Sequence, residues 1–295
     1  MPVRSIVWNM ALYSEAADFA MDRPLGKPFK LFSSRIPRVR RAHVHTRADP
    51  FLYAANGKLY LFFESQSVGE AGRIEAYRTS DLKDFEHLGT ILEEPHHLSF
   101  PFVFGHGGEH YLIPETEAAG EVALYRFAEF PFRPVKLRVL IEGAYADSSL
   151  IHHEGRWYLF TTTSQRGLEI FHTDDLLEGA MQPHPANPIS ADPRYMRSGG
   201  APVRIGGALF RLAQDCAGDY GRNLHIFRVS RLTESAYEES LVAADYLSNT
   251  DGWNSAGGHH LSIAAYEGRT IVAVDGKQYD YLLNKVAGIF FRLTG

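Results

Sequence analysis

Alternating apolar and polar residues recur along this chain in short paired runs, each pair flanking a two-residue turn. In the first, ADPFLYAANGKLYLFFE (Ala48 to Glu64), the turn is Asn56-Gly57, a dipeptide that supplies the two left-handed residues a tight hairpin needs. FPFVFGHGGEHYLIPE (Phe100 to Glu115) turns at Gly107-Gly108, and ADSSLIHHEGRWYLFTT (Ala146 to Thr162) turns at Glu154-Gly155. A weaker fourth copy, GAPVRIGGALFRLAQD, begins at Gly200 and turns near Gly206; a fifth, HHLSIAAYEGRTIVAVDG, begins at His259 and turns at Glu267-Gly268. The hairpins recur every ~50 residues, a spacing that points to propeller blades or solenoid units.

Between the hairpins lie less apolar segments, such as GRIEAYRTSDLKDFEHLGTIL, GEVALYRFAEFPFRPVKLRVL and GLEIFHTDDLLEG, each able to supply two more strands. The pattern therefore predicts an all-β chain, a five-bladed β-propeller with four-stranded blades. Residues 1–295 are read as one such domain, with SIVWNMALYS near the N-terminus completing the last blade. A β-sandwich also suits regular strands and turns, but no Pro/Gly/Ser-rich linker divides the chain and the hairpin grammar is constant. Leu232 to Leu247, LTESAYEESLVAADYL, is the one stretch long enough for a helix. Ser235 and Glu238 there match a capping box, while Tyr237 and Tyr246 suit a strand.

Stacking the hairpins on their turns aligns Asp49, Phe100, Asp147, Gly200 and His259 where the first strand opens. Glu64, Glu115, Thr162, Gln214 and Asp275 align where the second closes. Both sets fall at the end opposite the turn. If the hairpins are the inner halves of radial blades, Asp49, Glu64, Glu115, Asp147 and Gln214 converge on one rim around the axis. Buried carboxylates sharing a cleft push their pKa values apart, so one stays protonated while another ionises. Such a pair can protonate a glycosidic oxygen and activate water, or form a sugar ester. Phe51, Phe100, Phe102, Tyr145, Tyr220 and Trp253 are aromatic candidates for stacking on sugar C–H groups.

Composition narrows the function further. With 35 Asp+Glu against 30 Lys+Arg the formal charge is −5, without the basic excess that nucleic-acid binding needs. The basic cluster Arg35, Arg38, Arg40 and Arg41 is read as a solvated edge or loop rather than an anion- or lipid-binding patch. One cysteine, Cys216, leaves no disulfide framework and suits a reducing compartment. No run is apolar enough for a secretory h-region or a membrane span, so the expected location is cytoplasmic.

The residues also resemble known families. ADPFLY, KLYLFFE and TSDLKDFEHLGTIL are similar to the five-bladed propeller glycosidases of glycoside hydrolase families 43, 32 and 62. A closer resemblance is to bacterial relatives of the N-terminal domain of glucosamine inositolphosphorylceramide transferase. It is carried by Phe100-Pro101-Phe102-Val103-Phe104, Tyr111 to Thr116, Trp157 to Phe160 of the Asp147 hairpin, Leu209-Phe210-Arg211, Ala213 to Cys216 and Tyr220-Gly221, across nearly the whole chain. The resemblance implies a carbohydrate-active fold in which Asp49 matches the glycosidases' catalytic base and Asp147 their second, pKa-tuning Asp. Their acid Glu sits in a Glu-Gly-Pro-like segment on a later blade, where this chain has SGGAPV. Glu115 is taken as the substitute acid.

Three histidine doublets, His96-His97, His152-His153 and His259-His260, invite a metal reading, but neighbours in a strand point to opposite faces. His259 alone stands on the functional rim, for substrate or a central cation. No cofactor is expected, since GxGxxG, P-loop and G-x-S-x-G motifs are missing. The expectation is an enzyme acting on a glycosidic bond of a carbohydrate or glycoconjugate: Asp49 as base or nucleophile, Glu115 as acid, Asp147 setting their charge. Glu64, Arg197, Arg211, Gln214, Asp215 and His259 would hold the substrate. A glycosyltransferase using a sugar nucleotide and a non-catalytic sugar-binding propeller are the alternatives.

Overall fold

The computed structural model describes residues 5–34, 44–67, 69–249 and 252–280; the basic cluster Arg35 to Arg41 lies outside them. Strands β1 (Ser5–Glu15) and β2 (Lys30–Phe32) come first in sequence but belong to the last blade. Blade one is β3 (Val44–Ala55), β4 (Lys58–Ser67), β5 (Arg73–Thr79) and β6 (Glu86–Leu92). Blade two is β7 (Ser99–His106), β8 (Glu109–Glu115), β9 (Glu121–Glu129) and β10 (Phe132–Glu142). Blade three is β11 (Ala146–His153), β12 (Arg156–Thr163), β13 (Gly167–Thr173) and the two-residue β14 (Gln182–Pro183). In blade four the inner strand is broken into β15 (Arg197–Ser198) and β16 (Val203–Ile205), both paired to β17 (Ala208–Asp215), with β18 (Asn223–Leu232) and β19 (Tyr237–Ala243) outside. Blade five runs outward from β20 (Leu261–Tyr266) through β21 (Arg269–Asp280) to β1 and β2. The five-bladed propeller read from the hairpins is thus the fold, and the N-terminal segment closes it.

All five hairpin turns place both central residues at positive φ: Asn56 and Gly57, Gly107 and Gly108, Glu154 and Gly155, Gly206 and Gly207, Glu267 and Gly268. That is the turn whose twist matches the strands it joins. The stretch Leu232 to Leu247, where helix and strand both fitted, holds the end of β18 and the whole of β19. The only helix among the described residues is the short 3-10 turn Glu117–Ala119, and none is long and apolar enough to cross a membrane.

The inner strands share a second irregularity. Each of β3, β7 and β11 carries one extra residue against its partner, between Ala48 and Phe51, Ser99 and Phe102, and Ala146 and Ser149. Asp49, Phe100 and Asp147 occupy these bulges at φ 51°, 45° and 53°. Bulges re-aim side chains and interrupt pairing, and Asp is among the few non-glycine residues that tolerate positive φ. In blade four Gly200 takes the corresponding place at φ 134°, where a Cβ would come within 2.1 Å of the Leu261 carbonyl oxygen. The core between blades is aromatic and aliphatic, with Phe62, Phe100, Leu112, Leu159 and Leu261 fully buried.

Candidate functional site

The bulges leave backbone N–H groups without ladder partners, and carboxylates of neighbouring blades accept them. The Asp49 N–H donates to Asp275 Oδ2 (3.2 Å), the Phe100 N–H to Asp49 Oδ2 (3.2 Å) and the Asp147 N–H to Glu115 Oε2 (3.2 Å). Gln214 Nε2 donates to Asp147 Oδ2 at 2.9 Å and to the Ser198 carbonyl at 2.8 Å. The axial acids therefore tie blade to blade, and this satisfies polar groups that burial would otherwise leave unpaired.

Above this ring opens a cavity of about 220 Å³. One wall, from blades one and two, is polar: Thr46, Glu64, Gln66, His97 and Ser99. The facing wall carries Trp8, Arg197, Tyr220 and His259, with Asp49 and Glu115 between them. A larger cavity, about 720 Å³, lies at the turn-bearing rim of blades four and five, against Ala17–Asp22. It holds no comparable set of converging acids, so chemistry rather than size singles out the axial cavity.

The acids are held in different charge states. Burial, with the nearby Asp275 and Asp147 charges, pushes the Asp49 carboxyl up to about 7, against the opposing pull of His259 and the Phe100 N–H. Burial also raises Glu64 and Glu115 well above the ordinary carboxylate range; Asp147 adds to the rise at Glu115 and Arg197 opposes it. Asp275 goes the other way. Burial opposes its charge, but the His259 ring, 2.6 Å from Oδ2, and donated N–H bonds from His259 and His260 hold the carboxyl low. That ion contact also raises His259 in spite of its burial.

The linkage has a definite sign. Where the folded state holds a proton that the unfolded chain has released, stability falls as pH rises. Asp49 holds its proton between its ordinary 3.8 and about 7; Glu64 and Glu115 act in the same direction, and the raised His259 extends the fall above its ordinary 6.5. Asp275 opposes this only at acid pH, where its stabilisation is lost as pH drops. Denaturation midpoints are therefore expected to fall between pH 5 and pH 8, and to fall less steeply in Asp49→Asn. A midpoint that rises across that window contradicts the assignment.

Six of the acidic and basic residues singled out in the sequence meet here. Asp49, Glu64, Glu115, Arg197 and His259 line the cavity, and Asp147 lies just beneath, its Oδ2 2.5 Å from Arg197 Nε. Gln214 supports Asp147 from below. Arg211 and Asp215, expected to hold substrate, are not brought to the cavity. Strand alternation puts them on the face of β17 opposite Gln214. Arg211 is buried in a two-pronged contact with Glu239 (2.7 and 2.6 Å), and Asp215 pairs with Arg222 and His225. Of the aromatic candidates, Tyr220 faces the cavity, whereas Phe51, Phe100, Phe102, Tyr145 and Trp253 are buried.

Sequence reasoning missed Trp8 and the wall of Thr46, Gln66, His97 and Ser99. His97 carried a signal in its doublet, but only its setting shows its use: Nδ1 accepts the Gly72 N–H at 3.0 Å, which turns Nε2 toward Glu64 Oε1 at 3.6 Å. The doublet rule does hold at 259–260. His259 faces the cavity, while His260 packs against Phe51 and Phe100, and burial pushes it down to about 3. Two groups among the described residues approach metal-ligand spacing, Asp49/His259/Asp275 and Asp215/His225/Asp245. Both are occupied internally: the Asp275 and Asp215 oxygens are already engaged by His259 and by Arg222 and His225, and His225 Nδ1 accepts the Asp245 N–H.

Known proteins share both sequence and fold with this chain. The profile described as glucosamine inositolphosphorylceramide transferase 1, N-terminal, matches residues 38–277. The Arabidopsis thaliana protein named glucosamine inositolphosphorylceramide transferase 1 is 35% identical over 244 residues, 78% of this chain and 32% of its own length. Its counterpart in Oryza sativa subsp. japonica is 34% identical over 78% of this chain and 33% of its own. The chain thus spans about a third of the length of the curated relatives it matches. Among solved structures, an α-L-arabinofuranosidase from Clostridium thermocellum superposes with a TM-score of 0.59 at 15% identity, covering 76% of this chain and 80% of its own. An α-L-arabinofuranosidase from Podospora anserina gives 0.55 at 15% identity, over 78% and 91%. At such identities the likeness is one of fold.

Proposed function

This chain belongs to the family of the N-terminal part of glucosamine inositolphosphorylceramide transferase 1, and from that premise we propose that its axial cavity takes a terminal sugar of a glycoconjugate and acts on the glycosidic bond. The observation that carries the reading is the meeting of Asp49, Glu64 and Glu115 in one cavity with their carboxyls raised. A proton donor and a proton acceptor then coexist near neutral pH. Glu115 gives its proton to the glycosidic oxygen as the bond to the anomeric carbon breaks. Asp49 takes a proton from the attacking water or acceptor hydroxyl, and burial together with the Asp147 charge keeps Glu115 protonated against the pull of Arg197. Glu64, Arg197, His259 and the polar wall hold hydroxyls. A cavity below the ~300–1,000 Å³ of drug-sized sites fits one sugar ring.

The second reading is a sugar-binding propeller without chemistry. It draws support from the acids' structural work, since Asp49 and Glu115 each already accept a neighbour's N–H. Transfer from a sugar nucleotide is the third; it rests on the name of relatives about three times as long as the matched region.

Incubation with a panel of glycosides and nucleotide sugars, read by mass spectrometry of products and by calorimetry, separates the three. The expected result is release of a free sugar from a glycoside, rising as pH climbs through about 7 and Asp49 ionises. Binding without turnover favours the module. Turnover that needs a nucleotide sugar and an acceptor other than water favours transfer.

A further inference from the structure

We infer that Trp8 is a positioning residue of the axial site: the strand that closes the ring delivers an indole that fixes the His259 imidazole between Asp275 and Asp49. The effect on turnover rests on the proposed function; the placement of His259 does not.

Trp8 sits opposite Lys277 in the pairing of β1 with β21. Its neighbours Val7, Met10, Ala11 and Leu12 are buried in the core, but Trp8 is only half-buried and lines the cavity. Its ring lies flat on His259, with centroids 4.3 Å apart and 23° between planes, and Tyr220 meets the same imidazole edge-on at 5.0 Å and 89°. Lys277 Nζ, held by Asp219 Oδ2 at 2.6 Å, lies 6.0 Å from the centre of the indole. The chain turns beside the stack at Gly221, φ 62°, where a Cβ would come within 2.8 Å of Trp8 Cη2 and 3.0 Å of the His259 ring.

His259 needs this support. Its outer torsion is soft, and its polar anchor is the ion contact of Nδ1 with Asp275 Oδ2 at 2.6 Å; Asp49 Oδ1 lies farther, at 3.9 Å. An imidazolium over an indole face is also favoured by the ring's charge distribution, more so out of water. If the ring swings away, Asp49 loses its nearest positive charge. Trp8 stands outside the residues matched to the family profile, 38–277, so this part of the site comes from ring closure rather than from the matched segment.

The test uses the whole chain labelled with 5-fluorotryptophan. Three fluorine signals are expected, and the one lost in Trp8→Phe is Trp8's. It should shift with pH about a midpoint above the ordinary histidine value of 6.5, as His259, faced by Asp275, Asp49, Asp147, His260, Tyr220 and Lys277, releases its proton. His259→Gln should flatten that shift. The Trp157 signal, whose ring lies against His106 and His152, should be the same in His259→Gln as in the wild type. Independently, the ring protons of His259 should be displaced by the indole's ring current and return toward ordinary histidine positions in Trp8→Ala. A Trp8 signal that is flat, or that shifts unchanged in His259→Gln, overturns the inference, as does a His259 resonance indifferent to Trp8→Ala.

On a turned-over substrate, Trp8→Ala should cost about 10- to 100-fold in turnover and displace the rising limb of the pH profile. Trp8→Phe, which keeps a flat ring, should stay within about threefold. If the spectroscopic results hold and no substrate turns over, the stack stands and the proposed function falls.

Discussion

Asp49→Asn is expected to lower turnover of the sugar substrate by about 10²–10⁴-fold, the usual weight of a general acid–base group, while the sugar still binds. The substitution keeps the shape and an oxygen to accept the Phe100 N–H, so the bulge in β7 stays capped. What it removes is the titrating group. Because burial disfavours the Asp49 charge, the variant should melt at or above the wild-type temperature at pH 8. Glu115→Gln likewise keeps an acceptor for the Asp147 N–H and should lose turnover of the same order. Kinetics with calorimetry and melting curves check all three quantities. Turnover within about tenfold of wild type in Asp49→Asn would remove it from the chemistry.

Arg211→Met should do the reverse, leaving sugar binding intact while destabilising the fold by about 3 kcal/mol or more, as breaking a buried ion pair from one side does. Arg211 is 1% exposed and Glu239 14%, so the stranded carboxylate finds little water. Its remaining partner is the Tyr237 hydroxyl at 2.6 Å. The double variant Arg211→Met/Glu239→Leu should recover most of the loss, since a packed apolar pair replaces a buried ionic one at little cost. Urea denaturation of the three proteins measures this. A single variant as stable as wild type, or one that loses sugar binding without losing stability, would return Arg211 to the site.

These contrasts show how far the sequence could be read. The blades were legible because each inner hairpin turns on residues that accept positive φ, and such turns allow few alternatives. The axial acids were legible because an Asp or Glu at an apolar strand end recurs at one place in the repeat. Arg211 and Asp215 misled because they sit three residues before Gln214 and one after it, and an odd step along a strand reverses the face presented. Their partners, Glu239 and Arg222, come from other strands that motif reading does not align. The bulges were hidden too: an extra residue in β3, β7 and β11 leaves no mark in the hydrophobic pattern except an Asp or a Phe. Trp8 and His97 reach the cavity from different blades, so no spacing along the chain brings them together.

The pairing of β1 with β21 joins residues 255 to 275 apart in sequence, and this sets an order of events during synthesis. At the ~5–20 residues per second of translation, on the order of ten to fifty seconds pass between the emergence of β1 and that of the strand it pairs with. Throughout that interval one edge of β1 has no partner, and such edges invite pairing with other chains. Its apolar residues, Met10 and Leu12 among them, are fully buried in the closed ring. A ribosome-bound chain stalled before β21 is therefore an open array of at most four blades with an unclaimed strand, a state in which a holdase chaperone has a defined segment to protect.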